Sequence, residues 1–264
     1  MTSRLCLIIR RRKRVIAPIM AAALSLCILT CSNSFVPMET ATSTPIVAVT
    51  FDDADSSIYT TGFRLMRATD TTWTATHFFP VSFIGQSRNI TLDEEKEMER
   101  GGWETGGHGA THDNLSSLPP DTMNALVKAS YDFLVQNGLS HQSYAYASGM
   151  YNDTVKAVVA KYFENIRTSH DYYYLDGVNR QELGYFAVEG GFTSDDIIVR
   201  VEDAMMLGAP LVVIGFHIIL PDSAPPVPTY YVKESAFRGF LSYLAQQHLR
   251  VMGIRDAMKI LCGS

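Results

Sequence analysis

Cysteine is scarce in this chain, and its placement excludes two classes of site. Four cysteines occur among the 264 residues, and three of them, Cys6, Cys27 and Cys31, lie within the first 31 positions. Only Cys262 remains in the rest of the chain, which excludes a disulfide framework and a cysteine-rich metal site there. Any metal bound in that region must be held by histidine and carboxylate side chains.

Basic residues are in deficit once the N-terminal segment is set aside. Residues 1–31 contain six of the 22 Lys and Arg residues and none of the 27 Asp and Glu residues. The rest of the chain therefore has 16 basic and 27 acidic residues, a formal charge of −11. This balance argues against nucleic acid or an anionic membrane as a partner, whereas a neutral or cationic glycan is compatible with it.

The N-terminal segment has the pattern of an export signal. A basic cluster at residues 10–14 precedes an apolar run at 15–30 that is short for a membrane span. We expect a signal peptide in residues 1–31, with an uncleaved membrane anchor as the alternative and lipid attachment at Cys31 as a less favoured one. Residues 32–45, rich in Ser, Thr and Pro, are expected to form a flexible linker. The protein is then secreted or associated with the cell envelope, and it meets the membrane only through this segment.

From residue 46 onward, strand-like and helix-like segments alternate. The β-branched run at 46–51 and the apolar run at 211–217 are typical of strands buried on both faces. Helix signals lie between such runs: Thr91 and Glu94 form a capping box, and Ser194 is expected to cap a helix that ends at residue 207.

This alternation predicts a single domain at residues 46–264. Seven or eight strand–helix repeats indicate an α/β fold, a distorted (β/α) barrel of seven or eight parallel strands. The first strand is not followed by the G-x-G-x-x-G pattern, which argues against a dinucleotide-binding sheet. The sequence has no internal repeat.

Polar side chains follow several of the predicted strands, where the reactive groups of a parallel barrel gather. Asp52 and Asp53 end the first strand, His108 and His112 follow the third, and His217 closes the long apolar run. Two imidazoles at positions i and i+4 can share a cation, and one added carboxylate leaves positions open for water and substrate. Each feature alone also has a plainer interpretation: a solvated turn for the acids, capping residues for the paired histidines and a core histidine for the last.

Three of these segments resemble the motifs of the polysaccharide deacetylase family, carbohydrate esterase family 4, also called the NodB-homology domain. VTFDDADSS is similar to the family's T-F-D-D-G motif, GGHGATHDNL to its H-[ST]-x-x-x-H motif, and VVIGFHII to its late motif ending in His. The segment YAYASGMYND is similar to a further region of the family, written R-P-P-Y or A-Y-P-Y-G. The resemblance covers most of residues 46–258.

The resemblance implies a role for each matching residue. Asp53, His108 and His112 would be the ligands of a divalent metal, usually zinc, with cobalt or nickel as other candidates. Asp52 would be the general base and His217 the general acid. The backbone N–H of Ser148 would stabilise the oxyanion.

The chain departs from the family pattern at three places. Ala54 replaces the usual Gly after the acid pair, and Gly109 replaces the hydroxyl residue after the first metal histidine. Ala147 and Ser148 replace a Pro-Tyr pair, and the family's Arg, which orients the catalytic Asp, is missing there. We hypothesise that Arg167, at the start of another strand, supplies this charge instead.

The sequence therefore predicts an exported, metal-dependent enzyme that removes N-acetyl groups from a polysaccharide. Five tyrosines in loop-like stretches could stack on sugar rings or simply pack in loops: Tyr172, Tyr173, Tyr174, Tyr230 and Tyr231. Two rival functions stay open. One is a glycan-binding domain that has lost turnover, and the other is a hydrolase of a different bond, such as an O-acetyl ester or a cyclic amide.

Overall fold

The computed structural model of the chain describes residues 44–227 and 230–263. The predicted signal segment at 1–31 and all but the last two residues of the predicted linker lie outside the described residues. Among the described residues, no helix is both long enough and apolar enough to cross a membrane.

Eight strands form one sheet, and every pair within it is parallel. Its strand order is β5-β4-β3-β2-β1-β7-β6, with β10 paired to the first residues of β1, and β8 and β9 form a separate parallel pair. The strands are β1 (Ile46–Asp52), β2 (Thr76–Phe79), β3 (Glu104–Gly107), β4 (Ser143–Ala145), β5 (Asn165–Arg167), β6 (Phe186–Ala187), β7 (Leu211–Phe216), β8 (Ile218–Leu220), β9 (Tyr231–Lys233) and β10 (Arg250–Met252).

The sheet curls until its two edges come close to each other. Arg167 at the end of β5 makes a parallel bridge with Leu183, in the segment that leads into β6 at the other edge. The predicted fold, a distorted barrel of seven or eight parallel strands, is confirmed.

Seven α-helices accompany the strands in the described part of the chain. A short π-helical segment, Ile58–Phe63, runs directly into the first of them. The helices are α1 (Arg64–Thr69), α2 (Leu92–Arg100), α3 (Pro120–Gln136), α4 (Asp153–Val159), α5 (Ser194–Leu207), α6 (Glu234–Gln246) and α7 (Ile254–Cys262).

The alternation of side chains along β1 decides which way the first acid faces. Val47, Val49 and Phe51 pack in the cluster between sheet and helices, whereas Ile46 and Ala48 belong to the cluster inside the barrel. Because side chains on a strand alternate between faces, Asp52 shares the inward face of Ile46 and Ala48. β1 therefore delivers a carboxylate into the barrel at the carboxyl end of the sheet.

The structure corrects two local expectations and confirms a third. The N-cap of α5 is Thr193, which forms the capping box with Asp196, and not Ser194. β2 is shorter than the apolar sequence around it suggests, because Pro80 has no N–H for the ladder. The capping box of Thr91 and Glu94 on α2 is confirmed.

α7 was not expected from the sequence, and it covers the barrel at the end opposite to Asp52. Ile254, Ala257 and Met258 pack into the interior cluster. The backbone N–H of Arg255 donates to Glu104 Oε2 at 2.8 Å, at the start of β3. The carboxyl ends of the strands therefore form the open end of the barrel.

Candidate active site

All seven residues that the sequence predicts for the site line one cavity at this open end. The cavity has a volume of about 490 Å³. Its predicted members are Asp52, Asp53, His108, His112, Ser148, Arg167 and His217. Residues distant in sequence are thus brought together as the motifs indicated.

Asp53, His108 and His112 converge on one point. Asp53 Oδ1 lies 3.1 Å from His112 Nε2 and 3.5 Å from His108 Nε2. One ligand atom from each residue falls within 4.8 Å of the others, the spacing of a possible metal site. Two imidazole nitrogens and one carboxylate oxygen are the donor set of many catalytic zinc sites.

The hydrogen bond of His108 tests whether these residues suit a cation. His108 Nδ1 donates to the carbonyl oxygen of Ala145 at 2.8 Å, since a carbonyl can only accept. A neutral His108 therefore presents the lone pair of Nε2 toward Asp53. A lone pair that faces a carboxylate oxygen is stable only with positive charge between them, so the donor set fits a divalent cation.

The electrostatics of the triad favour positive charge at the same point. Burial would raise the pKa of Asp53, but the close contacts with the imidazoles of His108 and His112 outweigh burial and hold that pKa well below its usual range. The contact with Asp53 in turn raises the pKa of His112, against the effect of burial. Both directions favour positive charge at the point where a cation would bind.

Three of the predicted site residues have a left-handed backbone although none is glycine. The φ angles are +76° at Asp53, +61° at His112 and +56° at Ser148. Ala54, at the position where the family has Gly, also has a positive φ of +73°. Such backbone costs about 1–2 kcal/mol per residue and is concentrated at functional sites. The turn after the acid pair thus keeps the conformation that a glycine would adopt without strain.

Asp52 is paired with Arg167 deep in the cavity. Arg167 Nη2 donates to Asp52 Oδ2 at 2.5 Å, and each residue is 3% exposed. Asp52 Oδ1 is buried and has no hydrogen-bond partner among the described residues. One carboxylate oxygen is therefore held by the guanidinium, and the other is left for a water or substrate.

His217 lies at the end of β7, next to both acids. Its Nε2 is 3.7 Å from Asp52 Oδ2 and 4.0 Å from Asp53 Oδ2. Its ring stacks on Tyr230, with ring centroids 4.8 Å apart. Burial lowers the pKa of His217, although the two carboxylates act in the opposite direction.

The five tyrosines predicted as sugar-stacking candidates do not share one role. Tyr230 lines the cavity and is 47% exposed. Tyr174 and Tyr231 are buried, so their faces are closed to a ligand. Tyr172 packs against Tyr174, and the hydroxyl of Tyr173 donates to Asp203.

Two further tyrosines line the cavity and were missed from the sequence. Tyr146 is buried in the segment before Ser148, and Tyr185 immediately precedes β6. The sequence held one signal for Tyr185: Gly215 interrupts an otherwise bulky buried strand, and the tyrosine ring occupies the space over it.

Comparison with known proteins agrees with this architecture. Residues 39–163 match the family model described as polysaccharide deacetylase. A polysaccharide deacetylase from Bacillus cereus has a TM-score of 0.54 at 22% identity, over 58% of this chain and 50% of that one. The CE4 domain of a multidomain xylanase from the hindgut metagenome of Trinervitermes trinervoides has a TM-score of 0.56 at 13% identity, over 82% and 90%.

A third structural neighbour is described as lacking activity. The CE4 family pseudoenzyme from Bacillus anthracis has a TM-score of 0.52 at 16% identity, over 81% of this chain and 65% of that one. This chain thus spans half of the Bacillus cereus protein and 65% of the pseudoenzyme. No curated protein gives a significant match. The match of residues 39–163 to the family model and the shared fold together confirm the resemblance to the polysaccharide deacetylase family that the motifs indicate.

Proposed function

We propose that the protein hydrolyses N-acetyl groups on a polysaccharide of the cell envelope or the extracellular space, in a metal-dependent reaction that yields acetate and a free amino sugar. One observation carries the proposal: Asp53, His108 and His112 converge beside the buried pair of Asp52 and Arg167. A metal donor set next to an acid with one free oxygen can activate a water molecule and polarise an amide carbonyl for hydrolysis.

The donor set suits zinc best, with cobalt or nickel as substitutes. Imidazole nitrogen and carboxylate oxygen are ligands that all three ions accept, and His108 is held in the required tautomer by Ala145. When bound there, a divalent cation polarises the acetyl carbonyl and lowers the pKa of a water molecule.

Asp52 and Arg167 prepare the attack. Oδ1 of Asp52 has no partner among the described residues and is free to accept the proton of the attacking water. Arg167 holds Oδ2 and so fixes the orientation of the carboxylate. The pair is buried, which excludes bulk water from competing for these positions.

Ser148 and His217 act on the developing charge and on the leaving group. The backbone N–H of Ser148, at the cavity wall, would donate to the oxygen that becomes negative. His217 would give a proton to the departing nitrogen, and burial makes its imidazolium a stronger acid. Each acid–base group typically contributes about 10²–10⁴ in rate.

The surroundings of the site favour a glycan substrate. Tyr230 offers an exposed aromatic face beside His217, on which a sugar ring can stack. The acidic balance of residues 32–264 disfavours polyanions, and the predicted export signal supports a substrate outside the cytoplasm.

Purified protein tested with added zinc, cobalt or nickel examines this proposal. Acetate release would be measured on chitooligosaccharides and on acetylated aryl esters, with the products identified by mass. The substrate should lose the mass of one acetyl group for each amide cleaved. Asp52→Asn should reduce the rate of acetate release by a factor of about 10²–10⁴. Metal bound without acetate release would favour the glycan-binding rival, and release from esters alone would favour the O-acetyl esterase.

A further inference from the structure

The buried guanidinium of Arg167 makes few hydrogen bonds. It donates to Asp52, but its Nε has no hydrogen-bond partner among the described residues. One ion-pair contact leaves a long, flexible side chain free to rotate about that contact. Something else must fix the plane of the guanidinium.

Two aromatic rings contact this guanidinium. Its central carbon lies 3.9 Å from the ring centroid of Tyr185 and 5.1 Å from that of Phe78. Tyr185 is 7% exposed, and Phe78 is fully buried. Cations attract the faces of aromatic rings most strongly where water is excluded, as it is here.

The ring of Tyr185 packs against Gly215, where there is no side chain. Gly215 lies within β7, where its neighbours Ile214 and Phe216 are bulky and buried. A Cβ at position 215 would lie 1.8 Å from Cε2 of Tyr185, which no packed structure tolerates. The lack of a side chain at Gly215 therefore allows the ring of Tyr185 to lie against Arg167.

We propose that Tyr185, placed over Gly215, is a positioning residue that keeps the Arg167 guanidinium on Asp52 and thereby orients the general base. This inference rests on the proposed function, because it assigns Asp52 that role. The aromatic ring carries the effect, so the hydroxyl is dispensable. Arg167, the charged partner of Asp52, lies in β5, whereas Tyr185, which holds the guanidinium in place, lies in the segment that leads into β6.

Steady-state kinetics of four variants test the proposal. Tyr185→Leu should lower kcat about tenfold or more, with KM changed less than about threefold, because the base is misplaced while substrate contacts remain. Gly215→Ala should reproduce this effect by displacing the ring. Tyr185→Phe should keep kcat within about threefold of the wild type. Met258→Ala truncates another buried side chain of the same interior cluster, at the covered end of the barrel, and should leave kcat near the wild-type value.

Three outcomes would overturn the assignment. A loss of kcat in Tyr185→Phe equal to that in Tyr185→Leu would make the hydroxyl responsible. A change confined to KM would make Tyr185 a substrate contact. An equal loss of kcat in Met258→Ala would show only a general loss of packing.

A second measurement separates this inference from the proposed function. Wild-type protein that releases no acetate from any substrate would contradict the proposed function. The contact between Tyr185 and Arg167 can still be tested by urea unfolding of Tyr185→Leu, Arg167→Met and the double variant. Coupling predicts a midpoint shift in the double variant that is smaller than the sum of the single shifts. Additive shifts overturn the inference even if the enzyme is active.

Discussion

Arg167 Nη2 and Asp52 Oδ2 lie 2.5 Å apart, although the two residues are 115 positions apart in the chain. Burial opposes the charge on Arg167, but the carboxylate of Asp52 outweighs it and raises the pKa of the guanidinium. In the polysaccharide deacetylase family the corresponding charge is expected from the region that here reads YAYAS. The contact gives the hypothesis for Arg167 a geometric basis, and its role in turnover stays a prediction.

Arg167→Met should impair both turnover and stability. Loss of the guanidinium leaves the Asp52 carboxylate buried without its partner, which typically costs about 3–5 kcal/mol. Misorientation of the base should lower kcat by roughly 10²-fold. Urea unfolding and acetate release measure the two effects.

The matched control for this prediction removes both charges. Asp52→Leu combined with Arg167→Met should recover most of the lost free energy of unfolding, because an apolar pair replaces a buried ion pair at little cost. It should not recover turnover. An Arg167→Met protein with unchanged turnover would contradict the orienting role.

Zinc should stabilise the protein through the Asp53, His108 and His112 site. At a free zinc concentration of 100 times Kd, the free energy of unfolding should rise by about 2.7 kcal/mol. His112→Ala should lose most of this increase, because one of the three ligands is missing. His248→Asn, which changes an exposed histidine outside the cavity, should respond as the wild type does. Equal zinc responses in His112→Ala and the wild type would place the metal elsewhere.

Ser148 should act through its backbone and not through its hydroxyl. Ser148→Ala keeps the N–H and should retain kcat within about threefold of the wild type. Ser148→Gly should also retain kcat. Its free energy of unfolding should equal that of the wild type or exceed it by up to about 1 kcal/mol, because glycine adopts the φ of +56° without strain. A loss of turnover in Ser148→Ala comparable to that in Asp52→Asn would show that the hydroxyl participates.

Glu104, at the covered end of the barrel, should make stability depend on pH. Burial raises the pKa of Glu104 above 4.5, although Ser143 and Thr76 donate hydrogen bonds that act against this. The folded protein therefore keeps this proton after the unfolded chain has released it. The stabilisation is complete below pH 4.5 and is lost as the pH rises through the raised pKa.

Glu104→Gln supplies the comparison for that effect. The free energy of unfolding of the wild type, relative to the variant, should fall as the pH rises above 4.5, and it should level off once Glu104 is ionised in the folded state. Urea unfolding at a series of pH values measures this difference. Parallel stability curves for the two proteins would contradict the raised pKa.

Much of the fold was readable from the sequence because the longer strands had a local signal. The run at 46–51 and the apolar run before His217 correspond to β1 and β7, and the capping box at Thr91 marks α2. α7 was missed although its apolar residues recur at helical spacing, at positions 254, 257, 258 and 261, so the sequence did carry a signal for this helix. β8 and β9 are three residues each, too short for periodicity to indicate them.

The site was predicted to the extent that chemistry follows residue type and strand position. Acids and histidines at strand ends were recognisable, and the barrel brings them into one cavity. The contact of Tyr185 with Arg167 was not recognisable from the sequence, since no local pattern indicates which ring will contact a guanidinium more than ten residues away. The left-handed φ of Asp53 and His112 likewise arises from the turns of the folded chain.

Metal-dependent acetate release from an N-acetylated glycan tests the central claim most directly. Protein stripped with a chelator and reloaded with zinc would be incubated with chitooligosaccharides, and acetate and free amine would be counted together. The account predicts equal amounts of both products, turnover only after reloading, and a loss of about 10² or more in Asp52→Asn. Equal turnover with and without metal, or none in a protein that has bound zinc, would contradict it.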